Sequence, residues 1–75
     1  MIKFSLPVDS YVRIELFNAL GEKVDELTNR DYSIGNHELS FNASKISNGI
    51  YYYKINANGV DGSSFVSTKK MVLIK

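Results

Sequence analysis

The feature that most constrains this chain is a period of two in its hydropathy. Ile2, Phe4 and Leu6 alternate with Lys3 and Ser5 before Pro7 ends the run, and Val12, Ile14 and Leu16 alternate with Arg13 and Glu15. Such alternation marks half-buried strands, one face toward a core and the other toward water. Seventy-five residues make one domain at most. A chain this short buries only about 60–65% of the surface its unfolded form exposes, so small folds commonly add disulfides or a metal. Here there is no Cys, which removes disulfides and thiolate zinc sites alike. Packing must therefore supply the stability. Nine aromatic residues, five Tyr and four Phe, provide bulk for it and favour strands.

The turn signals divide the remainder. Asn18-Ala19-Leu20-Gly21 reads as a tight turn. Between Glu22 and Arg30, Val24 and Leu27 stand three apart and break strict alternation. That spacing fits a bulged strand or a short helical turn. Gly35 opens a strand with His37, Leu39 and Phe41 on one face, and residues 42–49 form a polar connection with Ile46 plugging one end of the core. Ile50 to Ala57 is the strongest strand, and Asn58-Gly59-Val60-Asp61-Gly62 is a hairpin loop. Phe65 to Lys75 is extended, as two strands if it divides near Lys69-Lys70. About seven short strands with regular turn signals predict an all-β, Ig-like or fibronectin-III-like antiparallel sandwich, because an isolated sheet leaves one apolar face wet.

Several function classes are disfavoured. The net charge is +1 and both signs are interspersed, unlike the clustered basic footprint of a nucleic-acid binder. No apolar run approaches the roughly 20 residues of a helical membrane span, and the start of the chain lacks the pattern of a signal peptide. His37 is the sole histidine, and no nucleophile stands at a recognisable spacing from it. Asp25-Glu26 and Asp61 read as solvated carboxylates, since no D-x-D-x-D-G string is present to hold calcium. Gly59 and Gly62 precede no helix and make no phosphate loop. Asn42-Ala43-Ser44 fits the glycosylation acceptor pattern by chance. The expectation is a chain without enzymatic activity, cofactor or metal.

Asn48-Gly49-Ile50-Tyr51-Tyr52-Tyr53 is the sharpest local feature. In Ig-like sandwiches a Tyr two residues before an inward residue can bond back to nearby backbone and pin a corner. Tyr51 suits that role, with Tyr53 and Ile55 following on the same face, although a Tyr-rich strand needs no such role. Read in order, Ile2-Lys3-Phe4-Ser5-Leu6-Pro7, Val12 to Gly21 with Val24 and Leu27 behind it, Gly35 to Ala43, Gly49-Ile50-Tyr51 as G-x-Y, and Lys70-Met71-Val72-Leu73-Ile74-Lys75 as K-x-x-x-x-K form a set. This set resembles the type A C-terminal sorting domain of the type IX secretion system of Bacteroidota. The resemblance covers nearly the whole chain, and it extends in fold to the Ig-like part of flagellar hook-capping proteins. The family's usual Tyr-Pro-Asn-Pro-like segment before the first strand is missing.

The resemblance implies a single sorting domain over 1–75, cut from a larger protein. It implies an N-terminal cargo, carried through the periplasm and outer membrane to the cell surface or medium. It implies recognition by the outer-membrane machinery and its sortase-like protease. The residues it implicates are Gly49, Tyr51, Lys70, Met71, Val72, Leu73, Ile74 and Lys75. Physics adds that an apolar terminal run on a sheet edge, flanked by lysines, can exchange strands with a partner or pair as a homodimer. The competing reading is an accessory binding module for carbohydrate or cell-surface adhesion, with Tyr11, Phe17 and Tyr52 as an aromatic platform.

Overall fold

In the computed structural model, which describes residues 2–40, 44 and 46–74, six strands make two antiparallel sheets. They are β1 (Ile2–Leu6), β2 (Ser10–Asn18), β3 (Lys23–Tyr32), β4 (Gly35–Leu39), β5 (Gly49–Gly59) and β6 (Ser64–Leu73). Strands β1 and β4 form a two-stranded sheet, and the other four lie in the order β3-β2-β5-β6. The sandwich expected from the alternation is present with six strands instead of about seven. The difference lies in β6. It pairs with β5 without irregularity from Asn58↔Ser64 to Gly49↔Leu73, so Lys69-Lys70 continues the strand and does not divide it. Two charged side chains on an exposed edge point to opposite faces and cost the ladder nothing.

The period of two becomes the core. Ile2, Phe4 and Leu6 of the small sheet meet Val12 and Ile14 of β2 and Ile55 and Ala57 of β5, with Tyr32 at one side. Leu27, Leu39 and Tyr53 pack around this cluster. His37 is half-buried at the margin, as its parity predicts. Its ring stacks on Phe4 at 5.4 Å and meets Tyr32 edge-on at 4.9 Å, while its Nε2–H donates to the Ser33 carbonyl at 2.7 Å. The Arg30 guanidinium lies over the Tyr32 ring, 4.0 Å from its centre. Histidine serves here as an aromatic packing residue. Phe41, expected on the same face of β4, lies outside the described residues.

The broken alternation of β3 is a pair of β-bulges. Ten residues of β3 face eight of β2, with register shifts between Ile14 and Glu15 and between Leu16 and Phe17. The two residues left without a partner in the register are Leu27 and Val24. Leu27 is thereby turned onto the core.

The slip also gathers charge on the outer face. Arg13 and Lys23 each reach Glu15 at 3.1 Å, and both approach Glu26, at 3.6 and 3.9 Å. Two acids and two bases thus alternate in a closed ring. Glu15, only 7% exposed, is the one buried charged residue among those described. Burial alone would push its carboxyl up. The hydrogen bonds from Lys23 and then Arg13, with their charges, outweigh it and hold the group below its ordinary value of 4.5.

The two ends of the sandwich differ. At one, Asp9 ties three connections together: its carboxylate accepts the Ile34 N–H at 2.7 Å and its carbonyl the Val60 N–H at 2.9 Å. There Gly59 leaves no room for a side chain, since a Cβ would come within 2.7 Å of both Val8 Cγ2 and Ser63 Oγ. At the other end lie the β2–β3 turn, the start of β5 and the end of β6. Ile2 and Leu73 are both at that second end, because β1 runs toward Asp9 and β6 away from it.

A carboxyl depressed in the folded state gives stability that is full above its unfolded value and fades as pH falls through the folded one. Thermal melts of the wild type should therefore lose stability below about pH 4.5. Glu15→Gln should melt lower at neutral pH and show a flatter acid limb. An unchanged acid limb in that variant would remove Glu15 from the account.

Candidate functional site

The residues singled out by G-x-Y and by the terminal run are distant in sequence and adjacent in space. Gly49 faces Leu73, Ile50 faces Val72, and Tyr51 faces Met71. The paired ends of β5 and β6 thus form one patch at the open end of the larger sheet. Lys70 lies next along, opposite Tyr52. Ile74 continues past the strand and is 82% exposed, while Lys75 lies outside the described residues.

Tyr51 makes the corner expected of it. Its side chain is buried, and its hydroxyl donates to the Ser47 carbonyl at 2.7 Å, four residues upstream. The bond fixes the connection to the first residue of β5. Ile46, expected as a plug, is half-buried just before it. Gly49 enters the strand at φ 155°, a backbone conformation that residues with a side chain rarely adopt. Inward from the corner the buried face continues through Tyr53, Ile55 and Ala57.

The patch has two unlike faces. Met71 and Leu73 are half-buried on the inner side. Ile50, Val72 and Ile74 lie on the outer side and are exposed. Beside them Phe17 and Tyr52 are cross-strand neighbours. Together they make an apolar strip at the end of the outer face, bordered by Lys70. Tyr11 does not belong to it. It stands six residues up β2 from Phe17, about 20 Å along a strand, and its hydroxyl donates to Asn29 Oδ1. The three rings therefore make no single platform. The pairing of Ile50 with Val72 across β5 and β6 depends on register, which the one-dimensional pattern does not carry.

No cluster of three or more His, Cys, Asp or Glu side chains suited to a metal occurs among the described residues. The glycosylation-like Asn42-Ala43 lies outside them.

The model of the family described as "Secretion system C-terminal sorting domain" matches residues 1–74. Comparison with curated proteins and with solved structures returns no match.

Loss of the Tyr51 hydroxyl in Tyr51→Phe should cost about 1 kcal/mol, the usual net worth of a buried hydrogen bond. Gly49→Val should cost more, since it adds backbone strain at a positive φ. Urea denaturation midpoints of the two variants check both, and a Tyr51→Phe midpoint equal to wild type would deny the corner its role.

Proposed function

The chain belongs to the secretion-system C-terminal sorting domains, and from that premise we propose that the paired ends of β5 and β6 are the part of it that the export machinery reads. Domains of this family are sorting signals for cargo proteins of the type IX secretion system, and the family is not a catalytic one. Such a signal is attached to a cargo, meets the type IX machinery and directs export to the cell surface or medium. In our reading the domain over 1–75 is one part of a larger protein that carries the cargo. The route runs through the periplasm and outer membrane, where a sortase-like protease acts on the passenger.

The observation that carries the reading is the convergence of Gly49 and Tyr51 with Lys70, Met71, Val72, Leu73 and Ile74 on one patch. A surface that needs only to be recognised requires no pocket, nucleophile or metal. It requires a fixed backbone and side chains left in water. The Tyr51–Ser47 bond supplies the first, and Val72 and Ile74 supply the second. An exposed strand edge is a common mode of recognition, because its main chain gives affinity and its alternate side chains give specificity. Lys75 belongs to the same signal by its place in K-x-x-x-x-K.

A secretion assay tests this. A fluorescent reporter with an export leader is fused ahead of the domain and its natural upstream segment, in a bacterium with a working type IX system. Fluorescence should reach the surface or medium and be lost when Met71 to Lys75 is removed. Because that truncation can unfold the domain, Val72→Ser with Ile74→Ser is tested beside it. This pair should lower export while leaving the melting temperature near wild type. Full export by both variants would overturn the reading.

A further inference from the structure

Among the described residues the larger sheet has two open edges, and they are unlike. The outer edge is β3 on one side, interrupted by two bulges. Bulges twist an edge away and blunt it against further pairing. The other edge is β6, regular for ten residues and exposed or half-buried throughout. A regular edge presents a row of main-chain donors and acceptors to any strand of suitable chemistry. Strand β6 is therefore the side on which the sheet can grow.

Its side chains say what can be added. The strand carries Lys69 and Lys70 and no acidic residue. Neither lysine enters an ion pair among the described residues, unlike Lys3, Arg13 and Lys23. Lys69 lies opposite Tyr53 on the inner face and Lys70 opposite Tyr52 on the outer face. Consecutive residues of a strand point to opposite sides, so a pair of lysines here sets positive charge on both faces of the edge. Met71, Val72 and Leu73 adjoin them on one side, and on the other Ser67 and Thr68 separate them from Phe65 and Val66.

We propose that the β6 edge accepts an extended strand carrying two successive acidic residues opposite Lys69 and Lys70, with apolar residues beside that pair where Met71, Val72 and Leu73 lie. The partner is a protein segment recognised by strand addition. Opposite charges directly across a ladder stabilise it, and like charges oppose it. The same lysines exclude a second copy of β6. An antiparallel self-pairing that uses most of the strand sets Lys69 opposite or diagonal to its own copy. The strand-paired homodimer open to an unguarded edge is thus disfavoured, and acidic partners are favoured. The inference deepens the docking reading above and rests on it for biological meaning.

The test uses this chain as its own probe. In Lys69→Glu/Lys70→Glu the same edge carries two successive acids, and an antiparallel pairing with wild type sets one of them opposite its lysine and the other diagonal to its own, because two copies of one edge pair inner face beside inner face. Each protein alone should remain monomeric in sedimentation at low salt. An equimolar mixture should form a one-to-one heterodimer that dissociates as salt is raised. Amide exchange should slow on β6 of both partners and not on β3. A third protein, Lys69→Gln/Lys70→Gln, removes the repulsion without supplying attraction, and it should associate with itself more than either charged form. Melting curves confirm that all three are folded. A mixture of folded proteins that stays monomeric overturns the proposal, and so does wild type that self-associates as strongly as the mixture. Neither result bears on export, which the reporter assay reads separately.

Discussion

With no disulfide to fall back on, the molecule depends on two short strands lying across the inward faces of β2 and β5. Ile2, Phe4 and Leu6 cover Val12, Ile14, Ile55 and Ala57, and this contact dries both sheets at once. Fully burying an aliphatic or aromatic side chain stabilises by roughly 1.5–3 kcal/mol, so a handful of such residues decides whether a domain of this size folds. Everything else is arranged around that contact. The Phe4–Tyr32–His37 cluster closes one margin, and the Tyr51 corner fixes the opposite end. The outer face is then left free to be polar or to be recognised.

The charged ring on the outer face shows how one irregularity serves two surfaces. The bulge that turns Leu27 inward also brings Glu26 and Lys23 into reach of Arg13 and Glu15. Glu15 could not be nearly buried without both bases beside it, because an unpaired buried carboxylate carries a heavy desolvation cost. The geometry of β3 thus determines the core on one side and the electrostatics on the other. It also makes that edge a poor template for pairing, which leaves β6 as the open one.

What was legible in the sequence follows from what a one-dimensional pattern can hold. Alternation fixes which face of a strand is wet, so the inward sets of β1, β2 and β5 could be read directly. Tyr51 was legible because a corner is local: its hydroxyl reaches only four residues back. The bulge was visible as the odd spacing of Val24 and Leu27, although a helical turn fitted the same spacing. The undivided β6 was not legible, since Lys69-Lys70 looks like a break until a partner strand is seen to run past it. The ion ring and the Ile50–Val72 pair were equally hidden. Both depend on cross-strand register, and register emerges only when the bulges and the hairpin are placed together.

The chain enters β1 and leaves β6 at the same end of the sandwich, while Asp9 laces the far end. That arrangement has a mechanical meaning. Tension applied between Ile2 and Leu73 pulls at one end only, so it meets the ladder bonds one after another, as a zipper does, and not all together as in shear. Strand β6 would peel from Gly49 and Tyr51 first, and the Asp9 end would be the last to open. A fold of this kind can sit quietly at equilibrium and still yield to a modest directed pull, and its point of surrender is the paired end of β5 and β6.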